Sequence, residues 1–150
     1  MEIRTIVEKD LYELVEMVFR NRRERVPEFH REMRMEITDI FKRAMADPSS
    51  EVLVCIEDGK VLGYINVHYV DFPMVVGREC YVTDLLVGET ERGKGAGRAL
   101  LEGAEAGARK RGCTRMMLNS GKFAKAYQKD FYGKTGYSER KNFANFVKNL

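Results

Sequence analysis

The chain has 150 residues, of which 44% are apolar and 33% are charged, a composition that indicates a soluble globular protein the size of one domain. No apolar run approaches the roughly 18 residues of a membrane span, and residues 1–8 lack the apolar core of a secretion signal. We therefore expect a cytoplasmic protein without a membrane partner. The net charge of +3 is too small for a dedicated nucleic-acid binder, so no nucleic-acid partner is expected.

The first third of the chain predicts a short strand followed by two amphipathic helices. Apolar residues such as Leu11 and Leu14 recur at helical spacing in the first helix. A charge-dense connection holding Pro27 separates the helices, and Asp47-Pro48 ends the second, because proline disfavours helical backbone in the residue before it. The predicted elements are a strand over 2–7, a helix over 9–20, a connection over 22–34 and a helix over 31–46.

The rest of the chain alternates strands and helices. Asp58-Gly59 is a two-residue hairpin signal between two apolar, β-branched runs. A third run is apolar over nearly its whole length, which is typical of a strand inside a sheet. The predicted elements are strands over 51–57, 61–70 and 80–87, a helix over 95–111, a strand over 115–119, a helix over 123–134 and one or two strands from Tyr137 to the end. This order predicts an α/β fold in a single domain.

A glycine-rich segment joins the third of these strands to the helix that follows. Glycines at 93, 95 and 97 keep side chains away from the start of the helix, where unpaired amides and the helix dipole attract anions. Arg92, Lys94 and Arg98 add positive charge. Two other phosphate-binding motifs do not fit. The P-loop pattern GxxxxGK[ST] is absent, and the dinucleotide-binding pattern GxGxxG, begun at Gly95 and Gly97, would need a glycine where the chain has Leu100. The segment predicts an anion site, against the alternative of a plain turn with solvated basic residues.

The run Leu85-Leu86-Val87, four residues and then Arg92-Gly93-Lys94-Gly95-Ala96-Gly97-Arg98 resembles motif A of the GNAT family of N-acetyltransferases. In that family R/Q-x-x-G-x-G/A binds the pyrophosphate of CoA, and Arg92, Gly95 and Gly97 match it. The resemblance implies one GNAT domain over 1–150, with a mixed, mostly antiparallel sheet flanked by helices in a three-layer α+β arrangement.

The same resemblance implies acetyl-CoA as co-substrate and assigns the residues that bind it. In the family, the backbone of the strand before the loop pairs with the pantetheine arm, and a polar residue after the next strand often reaches that arm. For Asn119, at that second position, a helix cap or a turn is the alternative. The implied acetyl-CoA-binding residues are Leu85, Leu86, Val87, Arg92, Gly93, Lys94, Gly95, Ala96, Gly97, Arg98 and Asn119.

A second segment, from Phe131 to Tyr137, resembles the FYxxxGF motif of the same family, with tyrosine in place of the final phenylalanine. The resemblance implies that Tyr132 is the general acid to the CoA sulfur, and a phenol with an ordinary pKa of about 10 is protonated at neutral pH. From the residue alone, an aromatic core position beside Phe131 is the alternative. The family usually shows Asn and Ala ahead of this motif, where the chain has Lys125 and Gln128, which weakens any inference of CoA contacts there.

Asp84 lies within an otherwise apolar strand, where an unpaired carboxylate is costly. A charge at such a position indicates either a general base or amine-binding group, or a structural ion pair. Family members that acetylate polyamines or aminoglycosides often have an acidic pair in this strand, and here the preceding residue is Thr83. Glu28, Glu32 and Glu36 fall where the family places its acceptor site, although charged helix faces are usually only solvated.

No metal site or disulfide is expected. Cys55, Cys80 and Cys113 are far apart and lack a CxxC pattern, so they are interpreted as buried hydrophobic residues. His30 and His68 have no partner at metal-ligand spacing.

Together these features predict an acetyl-CoA-dependent N-acetyltransferase that moves the acetyl group directly to a primary amine of a small molecule or peptide. The alternative is a non-catalytic acetyl-CoA-binding or regulatory module. A third hypothesis, nucleic-acid association through the basic stretch over 20–34, is disfavoured because acidic residues interrupt that stretch. The identity of the amine and the formation of a homodimer are left open by the sequence.

Overall fold

The structure, a computed structural model, describes residues 1–24, 26 and 32–150. These residues form two compact units, Met1–Leu118 and Asn119–Leu150, which are considered separately. The predicted start of the second helix at Arg31, together with Pro27, Glu28 and His30, lies outside the described residues.

The first unit is built on one five-stranded sheet. The strands follow one another in the order of the chain, and each pair is antiparallel except the last, β4–β5, which is parallel. The prediction of a mixed, mostly antiparallel sheet is confirmed. The strands are β1 (Glu2–Thr5), β2 (Ser50–Glu57), β3 (Lys60–Phe72), β4 (Gly77–Val87) and β5 (Cys113–Leu118).

Three helices cover the two faces of this sheet. They are α1 (Leu11–Arg23), α2 (Met33–Ala46) and α3 (Ala96–Lys110). Val52 and Val54 of β2 pack into one apolar core with α1 and α2, while Leu53 lies near Gly103 of α3. Because successive strand side chains point to opposite faces, α1 and α2 cover one face and α3 covers the other, as the three-layer prediction required.

Most element boundaries differ from the predicted ones by a few residues. The β4 strand begins at Gly77 rather than at residue 80, because its pairing with β3 continues to Phe72 at the turn. Cys55 and Cys80 are buried, as predicted, and Cys113 is half-buried. No helix in the described part of the chain is long and apolar enough to span a membrane.

The second unit differs from its prediction in two ways. The helix predicted over 123–134 is two short helices, α4 (Lys125–Gln128) and α5 (Phe131–Lys134), because Asp130 between them adopts left-handed backbone with φ 51°. The closing strands predicted after Tyr137 are wrong, since no strand is found over 138–150. Phe143 and Phe146 in this segment are 68% and 91% exposed, and an isolated strand without a partner leaves its backbone groups unpaired.

Candidate functional site

A β-bulge in the middle of β4 sets the geometry of the site. Val82 pairs with Val67 of β3 and Asp84 pairs with Asn66, so Thr83 is an extra residue that β3 does not match. The Thr83 hydroxyl donates to the backbone carbonyl of Asn66 at 3.2 Å. The bulge therefore places the exposed side chains of Thr83 and Asp84 next to each other on β4, just beyond the end of its pairing with β5.

Beyond the bulge, β4 separates from β5. The parallel pairing with β5 ends at Val82, opposite Leu118, while β4 continues along β3 through Leu85, Leu86 and Val87. Within the described residues no strand pairs with the other edge of this stretch. An edge with open amide and carbonyl groups can accept an extended ligand as if it were a further strand, as the family resemblance implies for these three residues.

The loop after β4 is anchored by Glu91, a residue that the sequence analysis did not single out. Glu91 is 8% exposed, and its carboxylate accepts hydrogen bonds from Lys60 Nζ at 2.7 Å, Lys94 Nζ at 2.8 Å and Thr90 Oγ1 at 2.8 Å. These donors, Lys60 first, lower the pKa of Glu91 to about 2. Lys94 is therefore held within the loop by an ion pair, rather than being an unpaired charge at the loop's mouth.

Two glycines of the loop have a backbone conformation that other residues rarely adopt. Gly93 and Gly95 have φ values of 84° and 94°. A Cβ at Gly93 would meet nothing within 4 Å, and one at Gly95 would meet only Met1 Cε at 3.6 Å. The glycines thus leave open space in front of the loop, which side chains at these positions would fill.

The start of α3 adds hydrogen-bond donors to this space. Gly95 is the N-cap, and the first helical hydrogen bond runs from the Ala99 amide to the Gly95 carbonyl at 3.0 Å. The amides of Ala96 and Gly97 precede that bond and carry the positive end of the helix dipole. Arg98 is exposed, and Arg92 is exposed with its Nε 3.4 Å from the Val87 carbonyl. Open space, backbone donors and arginines suit a pyrophosphate group.

Asp84 has an environment that favours its neutral form. Its carboxyl group is accessible to solvent, yet the surrounding protein removes enough water for desolvation to raise its pKa, an effect that Arg22 and His68 partly offset. The Asp84 charge in turn acts on the buried phenol of Tyr64, whose pKa is raised first by burial and then by Asp84. A carboxylate with a raised pKa is a stronger base, which suits proton transfer from an amine.

Tyr132 and Asn119 belong to the second unit. Tyr132 is half-buried, and its ring stacks edge-on against Phe131 and Tyr137 at centroid distances of 5.2 and 6.2 Å. Desolvation raises the pKa of Tyr132, so its phenol stays protonated through neutral pH. Asn119 is exposed and directly follows β5, and the N-cap of the next helix is Ala124, so the capping alternative for Asn119 is wrong.

The other sequence candidates do not form a cluster. Glu32 and Glu36 are exposed at the start of α2, while Glu28 and His30 lie outside the described residues. His68 is half-buried on β3. Within residues 1–24, 26 and 32–150, no group of three His, Cys, Asp or Glu side chains could hold a metal ion.

Comparison with known proteins identifies the family. The model of the Acetyltransferase (GNAT) family matches residues 9–137, so it covers most of the chain, including nearly all of the first unit and residues 119–137 of the second. The chain belongs to the GNAT family of acetyltransferases. A comparison with curated proteins gave no sequence match.

Solved structures support the same fold at low sequence identity. A transcriptional regulator from Bacillus halodurans C-125 has a TM-score of 0.82 at 20% identity, over 99% of each chain. An aminoglycoside acetyltransferase from an uncultured soil metagenomic sample, in complex with sisomicin, has a TM-score of 0.79 at 16% identity, over 99% of this chain and 95% of that one. A predicted acetyltransferase from Clostridium acetobutylicum, solved with acetyl-CoA, has a TM-score of 0.75 at 21% identity, over 97% and 95%.

Proposed function

We propose that this protein is an acetyl-CoA-dependent N-acetyltransferase that acetylates a primary amine of a small molecule or peptide. The observation that carries the proposal is the continuity between the open edge of β4 over 85–87 and the glycine loop that leads into α3. The extended pantetheine arm of acetyl-CoA suits the open strand edge, and its pyrophosphate suits the glycine loop. The two features are adjacent, as one ligand that carries both groups requires. The family match across both units supports a further proposal, that residues 1–150 form a single GNAT domain.

Each binding residue has a physical role in this proposal. The backbone of Leu85, Leu86 and Val87 pairs with the pantetheine arm, and the amides of Ala96 and Gly97 bind the pyrophosphate with help from the helix dipole. Arg92 and Arg98 add charge-assisted hydrogen bonds. Gly93 and Gly95 keep the approach open, Lys94 orders the loop through Glu91, and Asn119 contacts the arm after β5.

The proposed chemistry needs two proton transfers. Acetyl-CoA, when bound, supplies an acetyl group activated as a thioester. Asp84 binds the acceptor ammonium and accepts its proton, so that the neutral amine can act as nucleophile. Tyr132 donates its phenol proton to the departing sulfur. Both groups have a raised pKa, which makes Asp84 a better base and keeps Tyr132 protonated.

The test is a pair of glycine substitutions with the same backbone cost. Gly95→Leu and Gly112→Leu both place a side chain at positive φ, 94° and 73°, with no neighbour closer than 3.6 Å to the new Cβ. We expect each variant to lose about 1–2 kcal/mol of stability and the two melting temperatures to fall by similar amounts. Calorimetry should show loss of acetyl-CoA binding only in Gly95→Leu, because only that side chain fills the anion site.

Turnover is measured separately as the release of free thiol from acetyl-CoA with a panel of amines. Release that depends on an amine, with acetylated amine detected by mass spectrometry, supports the enzyme. Tight acetyl-CoA binding without amine-dependent release would support a non-catalytic acetyl-CoA-binding module instead. Equal acetyl-CoA affinity in both glycine variants would contradict the assignment of the loop.

A further inference from the structure

The strand register places the side-chain amide of Asn66 beside the carboxylate of Asp84. Asn66 of β3 is the cross-strand partner of Asp84. Such partners have Cβ atoms about 4.5–5.5 Å apart and point to the same face of the sheet. Tyr64, two residues before Asn66 and so on the same face, packs into the core with α1 and α2. Asn66 and Asp84 therefore lie side by side on the face where the acceptor amine is proposed to bind.

Two hydrogen bonds hold Asn66 in place. Its backbone carbonyl accepts from the Thr83 hydroxyl at 3.2 Å, and its side-chain Oδ1 accepts from the Ser50 hydroxyl at 3.3 Å. Ser50 is itself buried at the start of β2, where its amide donates to the Asp47 carbonyl at 3.0 Å. Because the two ends of an amide point in different directions, the bond from Ser50 turns Nδ2 of Asn66 away from β2.

The nitrogen Nδ2 of Asn66 carries two N–H donors, and the described part of the chain gives neither of them a hydrogen bond. In the same part of the chain, the inaccessible side-chain atoms without a hydrogen bond belong to Glu79, so Nδ2 keeps some contact with solvent. Asn66 is only 8% exposed, which leaves little room for water around these donors. Unpaired donors in such a setting cost free energy, and an oxygen atom of a ligand would recover it.

The neighbouring carboxylate and amide make different demands on one ligand. The Asp84 carboxylate binds an ammonium group, whereas Nδ2 of Asn66 donates to an acceptor atom. Since the two side chains start from adjacent Cβ atoms, a small molecule that contacts both must carry its nitrogen and its acceptor atom close together. An oxygen on the carbon next to the amine-bearing carbon meets this condition.

We propose that the acceptor is a primary amine with a hydroxyl or carbonyl oxygen on the neighbouring carbon, and that Nδ2 of Asn66 donates a hydrogen bond to this oxygen while Asp84 binds the ammonium. The inference rests on the proposed acetyltransferase function and adds the substrate class. Amino alcohols and the amino end of peptides share this chemistry. Asn66 is then a specificity-determining residue, and Ser50 is a positioning residue that acts through it.

The experiment compares amines of similar shape with and without the oxygen. Ethanolamine is tested against ethylamine, serinol against isopropylamine and glycinamide against propylamine. We expect kcat/KM of the oxygen-bearing amine to exceed that of its partner by about tenfold in at least one pair, because the partner leaves a buried donor unpaired. The two hydroxyl pairs and the carbonyl pair distinguish amino alcohols from peptide-like amines.

Asn66 variants test the assignment of the donor. Asn66→Leu should lower the kcat/KM ratio within the preferred pair about tenfold, since it removes both N–H groups. Asn66→Asp keeps the shape and the acceptor for Ser50 but replaces Nδ2 by an oxygen, so it should lower the ratio as well. Comparing ratios between proteins cancels the intrinsic difference in reactivity between the two amines. Melting temperatures identify any variant that is misfolded.

A pair of serine variants tests the positioning of the amide. Ser50→Ala removes the hydroxyl that orients Asn66, so the ratio within the preferred pair should fall, although less than in Asn66→Leu. Ser49→Ala is the matched control, because the Ser49 hydroxyl bonds Asp47 at 2.7 Å instead, and it should keep the wild-type ratio.

Each other outcome counts against a specific claim. Equal kcat/KM within every pair would overturn the substrate class and leave the acetyltransferase function standing. A wild-type ratio in both Asn66 variants would overturn the role of Asn66, and a wild-type ratio in Ser50→Ala would overturn the role of Ser50. Acetyl-CoA binding without acetylation of any amine tested would overturn the proposed function and this inference with it.

Discussion

Asp84 lies directly opposite Asn66 because Thr83, the residue between Val82 and Asp84, has no partner on β3. In a regular strand, side chains alternate between faces, and the buried side chain of Val82 points towards α3. Regular alternation already directs Thr83 to the opposite face, and the extra residue brings Asp84 to that face as well, where both side chains are exposed. The bulge therefore makes a single carboxylate available on the face where the acceptor amine is proposed to bind.

Replacement of Asp84 by asparagine should slow acetyl transfer about a hundredfold, the lower end of the effect of a general base. In the wild-type protein, kcat/KM should fall as pH drops through the raised pKa of Asp84, because protonation removes the base. Asp84→Asn should lose this acidic limb of the pH–rate profile. Asp39→Asn, an exposed carboxylate on α2, is the matched control and should keep the wild-type profile.

Asp84→Asn should not destabilise the fold. The folded pKa of Asp84 lies above its ordinary value of 3.8, so the native state binds more protons than the unfolded state between these values. Its charge therefore costs stability at pH 7, and this cost disappears as pH falls below 3.8. Thermal unfolding should give Asp84→Asn an equal or higher melting temperature at pH 7, with the difference closing at low pH. A clear loss of stability at pH 7 would instead indicate a structural ion pair.

Substitution of Gly63 by alanine on β3 should displace the neighbouring backbone of β4 that is proposed to bind acetyl-CoA. Gly63 pairs with Val87, and a Cβ at Gly63 would lie 2.5 Å from the carbonyl oxygen of Leu86 and 3.0 Å from Val87 Cα. Backbone must move to relieve such contacts, at a cost of about 1–3 kcal/mol. Because the displaced residues form the open edge, acetyl-CoA affinity should fall together with the melting temperature.

The control for this variant is Gly59→Ala in the β2–β3 turn. Gly59 has φ 76°, and a Cβ added there would have no atom within 4 Å, so alanine brings strain without a clash. We expect a loss of about 1–2 kcal/mol in stability from the left-handed backbone. Its acetyl-CoA affinity should be that of the wild type, and an affinity loss in Gly59→Ala equal to that of Gly63→Ala would contradict the local explanation.

Glu91→Gln should loosen the glycine loop, because the neutral amide cannot replace the two ion pairs with Lys60 and Lys94. The pKa of Glu91 is lowered to about 2 from an ordinary value of 4.5, so its contribution to stability is complete above pH 4.5 and is lost as pH falls towards 2. The melting temperature of Glu91→Gln should thus lie below that of the wild type at pH 7, and the gap should narrow below pH 4.5. A gap independent of pH would exclude the ion pairs as its cause. Glu89→Gln, in the same turn but exposed, is the control and should show no gap.

The sequence predicted those parts of the structure that depend on local periodicity. The apolar spacing around Leu14 indicated α1, and the glycines at 93, 95 and 97 indicated a loop without side chains at the start of α3. Features that depend on tertiary partners were missed. The pattern around Thr83 contains no signal for a bulge, since its cause is the register against β3, and the role of Glu91 depends on Lys60, 31 residues away.

The second unit shows the opposite failure, where a local pattern predicted structure that is not formed. One or two strands were predicted after Tyr137, but strands require hydrogen-bonded neighbours, and the apolar side chains of this segment, such as Phe143 and Phe146, do not provide one. Asp130 gave no helix-breaking signal comparable to proline or glycine, yet its left-handed backbone divides the predicted helix. The FYxxxGF resemblance does not depend on helix length, and so the prediction for Tyr132 is unaffected by either error.

Tyr132→Phe should lower kcat about a hundredfold, at the modest end of general-acid effects because a thiolate is a fair leaving group. Acetyl-CoA affinity should stay close to that of the wild type, since phenylalanine keeps the ring contacts with Phe131 and Tyr137. Desolvation raises the pKa of Tyr132 above its ordinary value of 10, so no basic limb of the rate profile below pH 10 should come from this residue. Tyr127→Phe is the matched control, because its hydroxyl bonds Glu139 in the same unit at 3.1 Å. Equal kcat in Tyr132→Phe and the wild type would remove Tyr132 from the proton transfer, and an equal loss in both tyrosine variants would point to a structural effect on this unit.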